Sequence, residues 1–562
     1  MQEKIRVVII GGVACGAKTA ARLARICPNA DITMLERGEN LSYANCGFPF
    51  YLGGEVKTRE SLTHTGFGVK RDSGYFGGYA FTKALTGHEV ISIDRVSKIV
   101  TAVVKKTGEK VEFPYDNLVI STGAAPIIPD IPGINLRNVH TLWTLNDAIA
   151  IEQALGDYSV KKAVVVGAGL VGIETAEALK LRGIDVAMVD ALPLPLYAIA
   201  GEEFGMLIVK ELQANGIQFY GEEKLLEIRG DKSCVSGVLT SKREIEADLA
   251  IISIGVRPNI ELAKKAGLSI GTHAILTDPG MRTSDPCIYA GGDSVECRSH
   301  ITGKYVWQPM GSAANRHGRV IADNIAGLKS EFTGVEGTAI VRVFNYCVGK
   351  TGLTFKAAEE AGYHPMEMLS ANPDIPLFMP NSSMITIKLV ADVKTRRVLG
   401  AQIIGAGNID KRLDVIATAI KGNLTVDDLA DVDLAYSPPF ATALDPVTHA
   451  ANSLKNKMDG LIKSLSPLEL KSKGERGDNF TILDVRKEEE IKRFGKLKYN
   501  WINIPLGELK NRVNELPKDN GIIIVCKSAV RAWIAYTMLL RFDFPDIAIL
   551  EGGMCSWGYE VI

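Results

Sequence analysis

The chain opens on a β-branched run, Ile5-Arg6-Val7-Val8-Ile9-Ile10, that breaks at Gly11-Gly12, after which Ala17 to Ile26 has helical composition. This predicts strand, tight glycine turn and helix. A second strand, Ile32-Thr33-Met34-Leu35, ends at Glu36 and completes a βαβ unit of the dinucleotide-binding kind. The pattern recurs about 155 residues later: Ala163-Val164-Val165-Val166 leads into Gly167-Ala168-Gly169-Leu170-Val171-Gly172, a helix to Leu181, and a strand Val186 to Val189 ending at Asp190. Two units so far apart predict two nucleotide-binding domains rather than a solenoid. Further on, Ile251 to Gly255 leads to a segment ending in Ile288-Tyr289-Ala290-Gly291-Gly292-Asp293, then a helix from Gly311 to Ile325. Residues near 335–450 mix short strands with one helical stretch, and a Lys- and Ser-rich stretch with Pro467 reads as a linker. Phe480-Thr481-Ile482-Leu483-Asp484 then starts a new α/β alternation.

At 562 residues the chain is long enough for three to five domains of about 100–200 residues. Its 46% hydrophobic and 23% charged residues are those of a globular protein, which excludes disordered and fibrous classes. With 64 Lys+Arg against 65 Asp+Glu there is no overall pull toward nucleic acid or anionic lipid, so anions must be held locally. No apolar run reaches the roughly 18 residues of a spanning helix, and the N-terminus enters a strand directly, so no membrane partner and a cytoplasmic location are expected. Nine cysteines without a CxxC pair or a Cys/His cluster predict neither a disulfide framework nor a metal site.

In the second glycine loop, Gly167, Gly169 and Gly172 permit the tight turn, close backbone approach to a pyrophosphate and helix–strand packing. Asp190 is placed to accept bonds from a ribose diol and would repel a 2′-phosphate, which favours NADH over NADPH. The first loop, Gly11-Gly12-Val13-Ala14-Cys15-Gly16, has Val13 where the middle glycine would sit. Cys15 reads as a small residue packed at the helix start.

The segment Leu41-Ser42-Tyr43-Ala44-Asn45-Cys46-Gly47-Phe48-Pro49-Phe50-Tyr51 carries a resemblance that extends along essentially the whole chain, through Ser121-Thr122-Gly123, Gly291-Gly292-Asp293 and Ala435-Tyr436-Ser437-Pro438-Pro439-Phe440. The sequence resembles the pyridine nucleotide-disulfide reductase family, and within it the coenzyme A-disulfide reductases and NAD(P)H-dependent persulfide reductases with a fused rhodanese domain. The resemblance implies an α/β fold: two Rossmann-like domains for FAD and NAD, an α+β dimerisation domain and a C-terminal α/β rhodanese domain. The boundaries read 1–150 and 253–328 for FAD, 151–252 for NAD(H), 329–452 for dimerisation, 453–472 as linker and 473–562 for rhodanese. It further implies that Gly11, Gly12, Val13, Ala14, Gly16, Glu36, Arg37, Ser121, Thr122, Gly123 and Asp293 hold FAD. NADH or NADPH would fall to Gly167, Gly169, Gly172, Asp190 and Gly255, and Cys46 would lie beside the isoalloxazine ring.

A thiolate, not a thiol, attacks a sulfur–sulfur bond, and helix-start amides are expected to lower the pKa of Cys46. Relatives similar to glutathione reductase place a second cysteine five positions on, where this sequence has Tyr51. Cys46 must then cycle through a mixed disulfide or persulfide with an external partner, or through a sulfenic acid as in related oxidases and peroxidases. Those relatives carry a histidine in the first loop, at the position of Ala14, which disfavours that route. For coenzyme A, Arg22 matches a phosphate-holding arginine, Arg25 falls on the same helix face, Ser42 and Asn45 flank the cysteine, and Tyr436 matches a tyrosine from the partner subunit. Where many coenzyme A-disulfide reductases read Tyr-Tyr-Pro-Gly, this chain reads Phe378-Met379-Pro380-Asn381.

Leu483-Asp484-Val485-Arg486, Asn503-Ile504-Pro505-Leu506, Val525-Cys526-Lys527-Ser528-Ala529-Val530-Arg531 and Leu550-Glu551-Gly552-Gly553-Met554-Cys555-Ser556-Trp557 together look like one rhodanese domain. Loop amides and the Arg531 guanidinium would stabilise a thiolate or persulfide on Cys526. Four residues separate Cys526 from Arg531, a ring suited to sulfur better than to a phosphoryl group, and Ala529 replaces the usual loop glycine. The expected function is a homodimeric, FAD-dependent NAD(P)H persulfide or polysulfide reductase acting on coenzyme A persulfide, with Cys46, Cys526 and Arg531 catalytic. Coenzyme A-disulfide reduction is the alternative, and a redox-sensing, partner-binding flavoprotein is the alternative of another class.

Overall fold

The computed structural model describes residues 4–156, 159–231 and 234–562. Two units emerge, residues 1–189 with 223–335 and residues 190–222 with 336–562. In the first, β1 (Ile5–Ile10) pairs in parallel with β2 (Ala30–Leu35), Ile5 opposite Ala30 and Ile10 opposite Leu35. Val7 to Ile10 are all buried, the unbroken apolar run that a parallel sheet covered on both faces demands. α1 (Cys15–Ile26) joins the two strands, starting two residues before the apolar pattern suggested. Next come the short α2 (Phe48–Leu52), β3 (Thr82–Leu85) and β4 (Asn117–Ile120). β5 (Val139–His140), β6 (Lys162–Val166), β7 (Asp185–Val189) and β8 (Leu249–Ile252) belong to a second parallel sheet, in the order β7-β6-β8-β5, with α3 (Leu170–Leu181) between β6 and β7. The chain then returns: β9 (Ile288–Ala290) completes the first sheet as β9-β4-β1-β2-β3, and α4 (Gly311–Ile325) packs on α1. Gly318 permits that close packing, because a Cβ there would fall 2.6 Å from the Cys15 carbonyl oxygen.

In the second unit, β10 (Ala339–Val343), β11 (Tyr346–Gly352), β12 (Pro365–Pro373), β13 (Met384–Asp392) and β14 (Val398–Gly405) form an antiparallel sheet ordered β10-β11-β14-β13-β12. One helical stretch was expected here, but the region carries Phe355–Glu360, Ile409–Lys421, Val426–Asp431 and α5 (Pro446–Met458). The last part is a parallel sheet built from β15 (Ser464–Leu465), β16 (Phe480–Asp484), β17 (Trp501–Asn503), β18 (Gly521–Val525) and β19 (Ile547–Leu550), ordered β15-β19-β18-β16-β17. α6 (Pro467–Glu475) and α7 (Val530–Leu540) complete it.

Residues 453–472, expected as a linker, are therefore structured: they hold the end of α5, β15 and the start of α6. Pro467 marks a helix start, because Ser466 and Glu469 form a reciprocal capping box around it and proline is tolerated in a first turn. Among the described residues no helix is long and apolar enough to cross a membrane, and no cluster of His, Cys, Asp and Glu could hold a metal ion.

Candidate functional site

Both glycine turns lie at the carboxyl ends of strands where the strand order reverses, the place where open α/β sheets bind ligands. Gly11 has φ +99°, and a Cβ there would fall 2.2 Å from the Ser121 carbonyl oxygen, so only glycine fits. Ser121 closes this turn, donating through Oγ to the Ile10 and Gly11 carbonyls at 2.8 and 3.1 Å. Thr122 donates to the Asn259 carbonyl at 2.7 Å, and the Gly123 carbonyl accepts from the Asn259 N–H at 2.9 Å. Glu36 accepts from the Gly12 and Gly38 N–H groups, both at 2.8 Å, while Arg37 beside it is exposed. Val13 and Ala14 finish the turn, and no side chain caps α1, in whose first turn Gly16 lies, which leaves its first amides to an anion. Burial pushes the Asp293 carboxyl up to about 6, and a desolvated carboxylate of this kind suits ligand hydroxyl donors. These groups fit a flavin dinucleotide.

The second turn repeats the design. Gly167 has φ +101° and would place a Cβ 2.2 Å from the Ser253 carbonyl oxygen, and a Cβ on Gly172 would fall 1.9 Å from the Gly167 carbonyl. Gly169 differs: a Cβ there would meet nothing within 4 Å. No packing demand accounts for that glycine, and the open space beside it leaves room for close approach of a pyrophosphate. Gly255, at φ +109°, follows β8. Asp190 follows β7 and accepts from the Leu192 N–H at 2.7 Å through one carboxylate oxygen.

Cys46 lies in a single helical turn, Asn45–Gly47, that runs into α2. The residue is exposed, and Asn45 Oδ1 accepts from the Cys46 N–H at 3.1 Å and lies 3.7 Å from the sulfur. Ser42 adopts φ +47° and its N–H donates to the Gly12 carbonyl at 2.9 Å, fixing this loop to the first glycine turn. The expected depression of the thiol pKa is not found. Desolvation by the surrounding protein raises it, and the Glu174 and Asp293 carboxylates add to the rise. The five-residue α2 offers too little dipole to reverse that. Tyr51, in the place of a second cysteine, donates its hydroxyl to Glu152.

In the second unit, Cys526 is buried at the end of β18 and its loop runs into α7. Arg531 forms a two-pronged pair with Glu490 at 2.6 and 2.7 Å. That carboxylate raises the guanidinium pKa most, with the Cys526 sulfur adding a smaller rise, so Arg531 is shared between the two. In return the Glu490 carboxyl is drawn down to about 2. Ala529 takes φ +71°, the left-handed conformation its glycine counterpart would take, so the loop shape is kept at some strain.

With this geometry in hand, comparison with known proteins is direct. A family model described as pyridine nucleotide-disulphide oxidoreductase matches residues 5–314. The chain belongs to that family. The dimerisation domain of the same family matches residues 338–447, and a rhodanese-like domain matches 466–560. The NAD(P)H sulfur oxidoreductase (CoA-dependent) of Pyrococcus furiosus is 36% identical over 456 residues, 81% of this chain and 100% of that protein. The structure of a NAD-dependent persulfide reductase from A. fulgidus superposes with TM-score 0.93 at 39% identity, covering 98% of this chain and 100% of that one. Reduced Bacillus anthracis CoADR-RHD gives TM-score 0.91 at 33% identity, covering 99% and 98%.

As a pyridine nucleotide-disulphide oxidoreductase the chain has local departures. Arg22, expected on a coenzyme A phosphate, donates through Nε to Asp323 at 2.8 Å, while Arg25 is exposed. Phe378 is exposed and brings no hydroxyl, and Asn381 takes φ +65°, a left-handed conformation that asparagine tolerates better than most residues. Tyr436 is exposed in the second unit. Glu174, Glu152 and Glu490 escaped the sequence reading. Only Glu490 carried a local signal, lying four residues after Arg486 at the start of a helix.

Proposed function

We propose that this oxidoreductase uses NADH to reduce the sulfur–sulfur bond of a small persulfide or polysulfide, coenzyme A persulfide foremost, and releases sulfide. The observation that carries this reading is a lone, exposed Cys46 with Asn45 at its sulfur and Tyr51, tied to Glu152, in the place of a resolving cysteine. The names of the Pyrococcus and A. fulgidus proteins support it.

Gly11, Gly12, Val13, Ala14, Gly16, Glu36, Arg37, Ser121, Thr122, Gly123 and Asp293 would hold FAD; Gly167, Gly169, Gly172, Asp190 and Gly255 would hold NADH. FAD, when bound, supplies an electron pair taken from NADH. The Cys46 thiolate attacks the inner sulfur of the persulfide, the bond to the outer sulfur breaks, and hydrosulfide leaves. Cys46 is left in a mixed disulfide with the carrier thiol, and two electrons and a proton restore the thiolate and free the carrier. Because desolvation, Glu174 and Asp293 raise the thiol pKa, the thiolate fraction and the rate of attack rise with pH. Arg22, Ser42, Asn45 and the partner subunit's copy of Tyr436 would hold coenzyme A in a homodimer, and Cys526 with Arg531 would carry sulfane sulfur between carriers. A cytoplasmic location fits a chain in which Cys46 and Cys526 are both free thiols.

Steady-state NADH oxidation with coenzyme A persulfide against coenzyme A disulfide tests the reading. Higher kcat/KM for the persulfide, with stoichiometric sulfide, is expected. A large preference for the disulfide overturns it in favour of disulfide reduction, and slow turnover of both favours a redox sensor.

A further inference from the structure

The sulfur-carrying loop is clamped from outside by the turn after β19. Gly552 and Gly553 both take positive φ, +64° and +57°, and a Cβ on Gly553 would fall 2.4 Å from the Cys526 carbonyl oxygen. The next two residues grip the same backbone: the Met554 N–H donates to the Cys526 carbonyl and the Cys555 N–H to the Lys527 carbonyl, both at 3.0 Å. Where Cys526 sits therefore depends on where this turn sits.

The residue that starts the turn is Glu551, whose side chain is fully buried. Its carboxylate accepts from three groups: the Leu369 N–H of β12 at 2.9 Å, Lys457 Nζ from the last turn of α5 at 2.6 Å, and Ser464 Oγ of β15 at 2.6 Å. Lys457 also donates to the Glu367 carbonyl of β12 at 3.0 Å. The charge is thus anchored on the antiparallel sheet and its helix, while the main chain of the same residue leads directly into the clamp. A carboxylate taken wholly out of water is costly unless every lone pair is engaged, and this one is engaged largely by groups outside its own sheet.

We propose that Glu551 is a positioning residue for sulfur transfer at Cys526, holding the Cys526 loop in its working geometry against the dimerisation sheet. This rests on the reading that Cys526 carries sulfane sulfur. In that chemistry the Cys526 thiolate takes the outer sulfur of a donor such as thiosulfate, and sulfite leaves. A nucleophile such as cyanide then attacks that outer sulfur, thiocyanate leaves, and the thiolate returns. A small displacement of the loop moves the sulfur off line for both steps.

The test is thiocyanate formation from thiosulfate and cyanide by the full-length, FAD-loaded chain without NADH, comparing the parent, Cys526→Ser, Glu551→Ala and Glu551→Gln. Glu551→Ala is expected to lower kcat by about tenfold to a hundredfold, in the range that small misplacements cost, with KM for thiosulfate within about twofold. Glu551→Gln, which keeps an acceptor for Leu369, is expected to recover most of the loss. NADH-driven reduction of coenzyme A persulfide, which uses Cys46, stays at the parental rate and reports the folded fraction. Should Glu551→Ala not fold, Lys457→Met removes one donor from the other side and is expected to lower kcat in the same direction. If Cys526→Ser forms thiocyanate as fast as the parent, the sulfur-carrier reading itself fails. If Cys526→Ser is silent while folded Glu551→Ala or Lys457→Met keeps the parental kcat, the positioning role is overturned.

Discussion

Ala529 offers a clean test of how the rhodanese loop is built. It is the residue immediately before α7 and has φ +71° and ψ −16°. For an L-residue with a Cβ this left-handed conformation costs about 1–2 kcal/mol. Glycine would escape that cost but lose more backbone freedom on folding, roughly 0.5–1 kcal/mol. The strain outweighs the entropy, so Ala529→Gly is expected to stabilise the C-terminal domain by about 0.5–1 kcal/mol. Ala529→Val places a β-branched side chain in the same region and is expected to destabilise the domain beyond the alanine parent. Urea unfolding followed by tryptophan fluorescence is the assay, because Trp533 and Trp557 lie in or beside the same loop and clamp. A higher midpoint at unchanged slope reports a gain in stability rather than a change in the unfolded chain. Sulfur transfer should be unchanged, since the glycine adopts the conformation already present. A lower midpoint for Ala529→Gly would refute the strain argument and imply that the loop relaxes elsewhere.

The two outer glycines of the second turn should separate from the middle one: Gly167→Ala, with φ +101° and no room, is expected to unfold the domain, whereas Gly169→Ala should melt like the parent yet raise the KM for NADH about tenfold or more, read by calorimetry and steady-state kinetics. Burial, only partly offset by Lys388 and reinforced by Glu203 and Glu551, pushes Glu367 up to about 7. The folded chain thus keeps a proton that the unfolded chain releases near the ordinary value of 4.5, and stability falls by roughly 3 kcal/mol as pH rises from below 4.5 through 7. Glu367→Gln should abolish that part of the slope in urea midpoints taken at pH 5 and pH 8, and an unchanged slope would place the proton elsewhere. Replacing Asp190 with alanine removes a carboxylate that would repel a 2′-phosphate and is expected to raise kcat/KM for NADPH relative to that for NADH, with an unchanged ratio of the two counting against the proposed role of Asp190.

What could be read along the chain was what local backbone chemistry dictates. The β-branched runs into Gly11 and Gly167 announce their turns, because each strand ends directly on a glycine that takes a positive φ. The loop of Cys526 was legible for the same reason, and Ala529 shows that its conformation outlasts its usual residue. What stayed hidden depends on distant partners. Arg22 Nε is engaged by Asp323, 301 positions away, a partner that no local pattern announces and that orients the guanidinium. The Cys46 thiol was expected to be acidified by a helix start, yet desolvation raises its pKa, and the carboxylates that add to the rise come from α3 and from the turn after β9. Glu551 meets Leu369 across 182 positions, and nothing in the residues around it signals that contact. The supposed linker was misjudged for a local reason: Pro467 was taken as a break, when with Ser466 and Glu469 it opens a helix.

The most direct measurement is rapid mixing of the NADH-reduced, FAD-loaded chain with coenzyme A persulfide under anaerobic conditions, for the parent and for Cys46→Ser. Flavin reoxidation and one sulfide per flavin are expected in the parent, with Cys46→Ser remaining reduced. Reoxidation of Cys46→Ser at the parental rate would contradict the role of the lone thiol on which the proposed chemistry depends.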